Sequence, residues 1–180
     1  VKSYDLDDCI GKISKNINDQ TMIIPLLNGV DIYQRIRRIL PKGIVLPGCV
    51  YVGAYIQEPG KVIHSSGDLL IFGKDPQYPG ITPEGIFKLF EDTGINYRWF
   101  DNPYPAIWEK YIFIAAFGLV TAYSGKSIGE VLAEKELKET VRQIMVEIHS
   151  IAAREGVQLK DTIIEDTLEK ASKFPYDLKT

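Results

Sequence analysis

Apolar residues recur at Leu6, Cys9, Ile10, Ile13 and Ile17, close to a 3.6-residue period, and Asp5, Asp7 and Asp8 put acidic charge where a helix would begin. The spacing predicts an amphipathic helix from about Asp5 to Asn18, entered from Val1 and Lys2 at the end of a strand. "TMIIPLL" follows, a short unbroken apolar run closed by "NGVD", which is the pattern of a buried parallel strand leaving through a tight turn. A second helix is expected over about Asp31 to Leu40. Between Ile44 and Gly73 the chain turns β-branched and aromatic, with "EPGK" and "SSGD" as punctuation, so two or three extended segments joined by turns are predicted. Thr82 to Thr93 reads as a helix capped by Thr82 with Pro83 in its first position, and Tyr97 to Phe100 as a short strand.

After "FDNPYP" the periodicity is helical to the end: Pro103 to Ala122, Ser127 to Ala133, Glu136 to Glu155 closed by Gly156, and Asp161 to Lys173. The change of pattern places a domain boundary near Asp101. Strands alternating with helices over short connections argue for part of an open parallel α/β sheet, followed by an all-α domain. The longest apolar run, Tyr111 to Tyr123, is shorter than the roughly 20 residues of a membrane span and is read as a buried core helix.

Composition adds a partner class. The 180 residues are 45% hydrophobic, and 21 basic against 24 acidic residues leave a net charge of −3 spread along the chain. No strong field favours nucleic acid or an anionic membrane, so a small molecule is the expected partner. Cys9 and Cys49 have neither metal-ligand spacing nor the density of a disulfide framework, and reduced thiols in a cytoplasmic protein are expected. The N-terminal residues do not have the form of a signal peptide, and both ends read as cut.

Three residues stand out chemically. Asn28, in an Asn-Gly pair after an apolar strand, has the sequence of an ordinary turn. It also lies at a strand's carboxyl end, where open α/β sheets bind ligands, and its amide both donates and accepts. Lys2, expected beside the same crevice if the two strands are neighbours, reads by itself as a solvated terminal lysine. Lys110 opens the most apolar stretch, sharing a helix face with Ile107, Ile114 and Gly118. Its stem can pack while the ammonium snorkels out, or it can be a desolvated amine, drawn down from the ordinary lysine range so that it gives up a proton near neutrality. His64 and His149 lack ligand partners and Glu155-Gly156 reads as a helix cap, so none is assigned a role. No GxG occurs, so the chain carries no dinucleotide fingerprint.

"VKSYDLDD", "IIPLLNGVD", "LPGCVYVGAYIQEPGKVIH", "LLIFG" and "IWEKYIFIAAFGLVTA" stand in the order and at about the spacing of the ketopantoate reductase family, and the resemblance runs from Val1 to Thr180. It implies the trailing half of a Rossmann-type parallel-sheet domain over residues 1–101 and the first part of a helical substrate and dimerisation domain over 102–180. The glycine fingerprint would stand before Val1, and "FPYDLKT" resembles the stretch ahead of a substrate-binding serine motif. The implied activity is NADP(H)-dependent reduction of a 2-oxo acid, ketopantoate to pantoate, by an enzyme that can form a homodimer. By position Lys110 is the catalytic lysine that protonates the ketone oxygen, Asn28 the asparagine between cofactor and substrate, and Lys2 a cofactor contact. The resemblance also implies asparagines at 114 and 118, where this chain has Ile114 and Gly118. A related reductase of another oxo acid, and a noncatalytic binding domain, are the rival readings.

Overall fold

The computed structural model describes residues 1–178; Lys179 and Thr180, the end of "FPYDLKT", lie outside the described residues. Two compact units divide the chain, Val1–Ile107 and Trp108–Thr180, the division falling inside one long helix. The first unit is α/β and the second is helical.

In the first unit Val1 and Lys2 are not strand but lead into a 3-10 turn, Ser3–Asp5, which passes directly into helix α1, Leu6–Ile13. The expected helix to Asn18 stops short: a second 3-10 turn covers Ser14–Asn16, with the Ser14 hydroxyl donating to Gly11 O at 2.8 Å. Ile17 remains buried beyond the helix, beside Leu6 and Ile10. Strand β1 is only Met22–Ile23, and it pairs in parallel with β2, Ile44–Val45, across helix α2, Ile32–Ile39. Met22 and Ile23 are half-buried rather than buried, while Val45 and Leu46 are fully enclosed. The apolar run after Ile23 continues as irregular chain, since Pro25 cannot donate to a ladder.

Strands β3, Gly48–Glu58, and β4, Lys61–Gly73, form one long antiparallel hairpin. "EPGK" turns it as expected: Glu58 pairs with Lys61, and Gly60 takes φ 83°, the left-handed conformation that the residue after a turn proline must adopt in a type II turn. "SSGD" does not turn the chain. It lies inside β4, where the register slips between the pairs Tyr51–Leu69 and Gly53–Ser66, and Gly67 at φ 69° supplies the extra residue of a bulge. A Cβ on Gly67 would collide with the Tyr51 carbonyl. Gly67→Ala should therefore lower stability by about 1–3 kcal/mol, read as a reduced urea midpoint, whereas an unchanged midpoint would show that the bulge relaxes freely.

β5, Asn96–Phe100, runs parallel to β4 after helix α3, Glu84–Thr93. Pro83 stands just outside this helix and Thr82 does not cap it with its side chain; the Thr82 carbonyl accepts from Glu84 N–H instead. Tyr97 and Trp99, alternate residues of β5, turn inward with Phe87 and Phe90 of α3 around the fully buried Phe72, their ring centroids 5.2–6.2 Å from its own.

The last helix to begin in this unit, α4, spans Tyr104–Ser124. Its 21 residues are long and apolar enough to cross a membrane by length and composition. A stripe of Trp108, Ile112, Ala116, Phe117, Val120 and Thr121 is nevertheless buried, at the i, i+4 spacing of a helix packed against a core. Then come α5, Ile128–Ala133, α6, Lys135–Arg154, and α7, Ile163–Ser172. Ser127 begins α5 with a full capping box, Oγ accepting from Glu130 N–H at 3.3 Å while Glu130 Oε2 accepts from Ser127 N–H at 2.8 Å. Ser127→Ala should cost about 1 kcal/mol, seen as a lower thermal midpoint that Ser127→Asp largely restores. Gly156, at φ 76°, ends α6 as its sequence suggests.

Candidate functional site

The first unit carries two of the residues singled out in the sequence, Asn28 and Lys2. After β1 the chain leaves through Asn28 and Gly29, and Gly29 takes φ 138°, with any Cβ there held 3.2 Å from the Ile32 side chain. The turn lets α2 begin three residues later and leaves Asn28 exposed, five residues beyond the end of β1. Lys2, also exposed, is tied to the same helix by its neighbour: Arg35 of α2 donates to Ser3 O at 2.7 Å and pairs with Asp7 at 2.9 Å. α2 is thus the element shared by the Lys2 segment and the Asn28 turn.

Beside that turn lies a small, mostly apolar cleft, lined among others by Gly29, Val30, Tyr33, Pro47 and Tyr104. Tyr33, one of its lining residues, belongs to a polar cluster that the periodicity gives no reason to expect. Asp75, fully buried, accepts from Tyr33 Oη at 2.7 Å, Val45 N–H at 2.8 Å and Gln77 N–H at 2.9 Å, and it pairs with the Arg37 guanidinium. Arg37 also donates to the Gly43 carbonyl at 3.1 Å, and its guanidinium lies 5.6 Å and 5.5 Å from the ring centres of Tyr33 and Tyr78. Burial, followed by the hydrogen bond to Asp75, pushes the Tyr33 phenol up from its ordinary range. Tyr104 is pushed up further, first by burial and then by the charges of Tyr33 and Asp75, so both phenols keep their protons well above neutrality. In the sequence these residues are a tyrosine and an arginine one helical turn apart and an aspartate just after a strand, a pattern that does not distinguish a solvated face from a buried network.

Lys110 belongs to the second unit. Asn102 starts its helix by accepting from Tyr104 N–H at 3.1 Å, and Pro103 and Pro105 fall where a helix leaves its first N–H groups unpaired in any case. Six residues after Tyr104, Lys110 is half-buried, between the buried Trp108 and Ile112 in sequence. Trp108 meets the ring of Tyr111 edge-on at 6.0 Å. Ile114 and Gly118 continue the Lys110 face at i+4 and i+8, both half-buried. Among the described residues no group of three or more His, Cys, Asp or Glu side chains is placed to hold a metal.

The family model for ketopantoate reductase PanE/ApbA matches residues 1–77, and its C-terminal companion matches 103–179. An uncharacterised oxidoreductase, YkpB of Bacillus subtilis, is 26% identical over 99% of this chain and 59% of its own. The crystal structure of 2-dehydropantoate 2-reductase from Porphyromonas gingivalis superposes with a TM-score of 0.83 at 30% identity, covering 97% of this chain and 60% of the other. A D-mandelate dehydrogenase solved with NADH and anilino(oxo)acetate shares the fold, with a TM-score of 0.85 at 18% identity over 99% of this chain and 58% of that one. The chain spans 58–59% of the length of the first curated relatives it matches.

Proposed function

We propose, from the premise that this chain belongs to the ketopantoate reductase family, that it serves the NADPH-dependent reduction of a 2-oxo acid, with ketopantoate the first substrate to assay. The observation that carries this reading is Lys110, a half-buried lysine on the largely apolar helix α4, within the stretch that the family's C-terminal model matches. Residues 1–101 would serve the cofactor; residues 102–180 would serve the substrate and a homodimer contact.

The Lys110 ammonium donates its proton to the ketone oxygen as negative charge develops there, and its own charge stabilises the alkoxide before transfer is complete. Asn28 orients the reacting carbonyl through its amide, and Lys2 offers a cation to the nucleotide. NADPH, when bound, supplies the hydride that reaches the carbonyl carbon, so that a 2-hydroxy acid leaves. Lys110, left neutral, regains its proton from water. The residues present suit one end of the cofactor: an exposed asparagine in the turn that follows a parallel strand fits the nicotinamide region, and no glycine-rich turn for the pyrophosphate occurs in residues 1–180.

The full-length polypeptide should oxidise NADPH faster than NADH when given ketopantoate or a related 2-oxo acid. Absence of coenzyme oxidation with every 2-oxo acid supplied would refute the reading. A second reading, the same chemistry on another oxo acid, is favoured by Ile114 and Gly118.

A further inference from the structure

Helical geometry decides what a substrate held at Lys110 must touch. Side chains lean toward a helix's N-terminus, so the residue four positions on covers the surface beside the lysine stem. Here that residue is Ile114, and it brings hydrocarbon. One turn further stands Gly118, where an added Cβ would meet nothing within 4 Å, so the helix surface next to Ile114 is open. The nearest hydroxyl beyond is turned away, since Thr121 Oγ1 donates to its own helix at Phe117 O, 2.8 Å away. Tyr111, three residues before Ile114 and seven before Gly118, borders this face, but its ring meets that of Trp108 edge-on at 6.0 Å, and Trp108 stands roughly opposite Lys110 around the helix. Beyond the lysine itself, Ile114 and Gly118 therefore give the helix an apolar and roomy strip with no side-chain hydrogen-bond donor or acceptor of their own.

We propose that this strip receives the side chain of the 2-oxo acid and that this side chain is a branched or aromatic hydrocarbon group, without a hydroxyl. The inference rests on the reading that Lys110 protonates the substrate's carbonyl, and it deepens that reading by naming the substrate class. A hydroxylated side chain laid on the strip loses its hydrogen bonds to water and gains none from the helix, whereas a hydrocarbon one gains buried area.

The test is a matched pair that differs by one oxygen: 3,3-dimethyl-2-oxobutanoate and its 4-hydroxy counterpart, ketopantoate. With the full-length polypeptide and NADPH, kcat/KM is expected to be about 10–100-fold higher for the compound without the hydroxyl. Ile114→Asn, which restores an amide beside the lysine, should lower that ratio at least about tenfold; Gly118→Asn, entering open space, should lower it too. Because each ratio is taken within one enzyme preparation, partial misfolding of a variant does not alter it. A wild-type ratio at or below one would overturn the substrate class while leaving Lys110 chemistry intact. An Ile114→Asn ratio equal to wild type would overturn the role of the strip. Reduction of neither compound, together with identical behaviour of Lys110→Ala, would remove the underlying reading and this inference with it.

Discussion

Replacing Lys110 by alanine in the full-length polypeptide should lower kcat for 2-oxo acid reduction about 10²–10⁴-fold, the range that a positioned general acid contributes. The substrate's KM should change much less, because the proton is shared only as charge builds on the ketone oxygen, and an interaction made chiefly in the transition state appears in kcat. The pH profile separates this role from a structural one. If the ammonium is the acid, the wild-type rate falls as pH rises through its pKa, because the neutral amine has no proton to give. That limb should vanish in Lys110→Ala and return when a small primary amine is added. Lys110→Met keeps most of the stem's volume and should be as slow as the alanine variant, so lost packing cannot account for the defect. A Lys110→Ala enzyme with wild-type kcat at neutral pH would end the assignment.

Lys110 also shows what the sequence can carry. Its helix was legible because the apolar residues around it are dense and the prolines ahead of it mark a start, and the buried stripe from Trp108 to Val120 follows directly. Its chemical use was not legible from periodicity, since a lysine at the margin of an apolar helix packs its stem in either case; the resemblance to the family supplied that reading. The β region failed in a different way. "EPGK" and "SSGD" both look like turns, but only the first holds a proline that sets φ for a left-handed glycine behind it. The second gives its glycine to a bulge, and the two cases differ in cross-strand register, a long-range property that a local window does not contain. β1 shortened for a related reason: the apolar run is real, but Pro25 interrupts its ladder. Asp75 was the least legible of all, since its partners Tyr33, Arg37 and Val45 are between 30 and 42 residues away in sequence.

Asp75→Ala should destabilise the folded chain by about 3–5 kcal/mol, as expected when one partner of a buried ion pair is removed. Arg37 has only 6% of its side chain exposed, so its charge cannot turn to water without opening the contact among α2, β2 and the chain after β4. Three donors lose their acceptor at the same time: the Tyr33 hydroxyl and the N–H groups of Val45 and Gln77. Against a whole-domain stability of about 5–15 kcal/mol this is a large fraction, and it should appear as a lower urea midpoint. Arg37→Ala alone should also be costly, because it leaves the Asp75 carboxylate buried with only neutral donors. The double substitution should cost less than the sum of the two single ones, since neither charge then remains without its partner. Additive losses would show that the pair is not coupled, and a cost below about 1 kcal/mol for Asp75→Ala would show that the site admits water. The network also bears on the site, because Asp75 holds Tyr33, which lines the cleft beside the Asn28-Gly29 turn. In the full-length polypeptide, Asp75→Ala should therefore raise the KM for NADPH at temperatures where the chain is still folded, while the alkaline limb assigned to Lys110 stays in place.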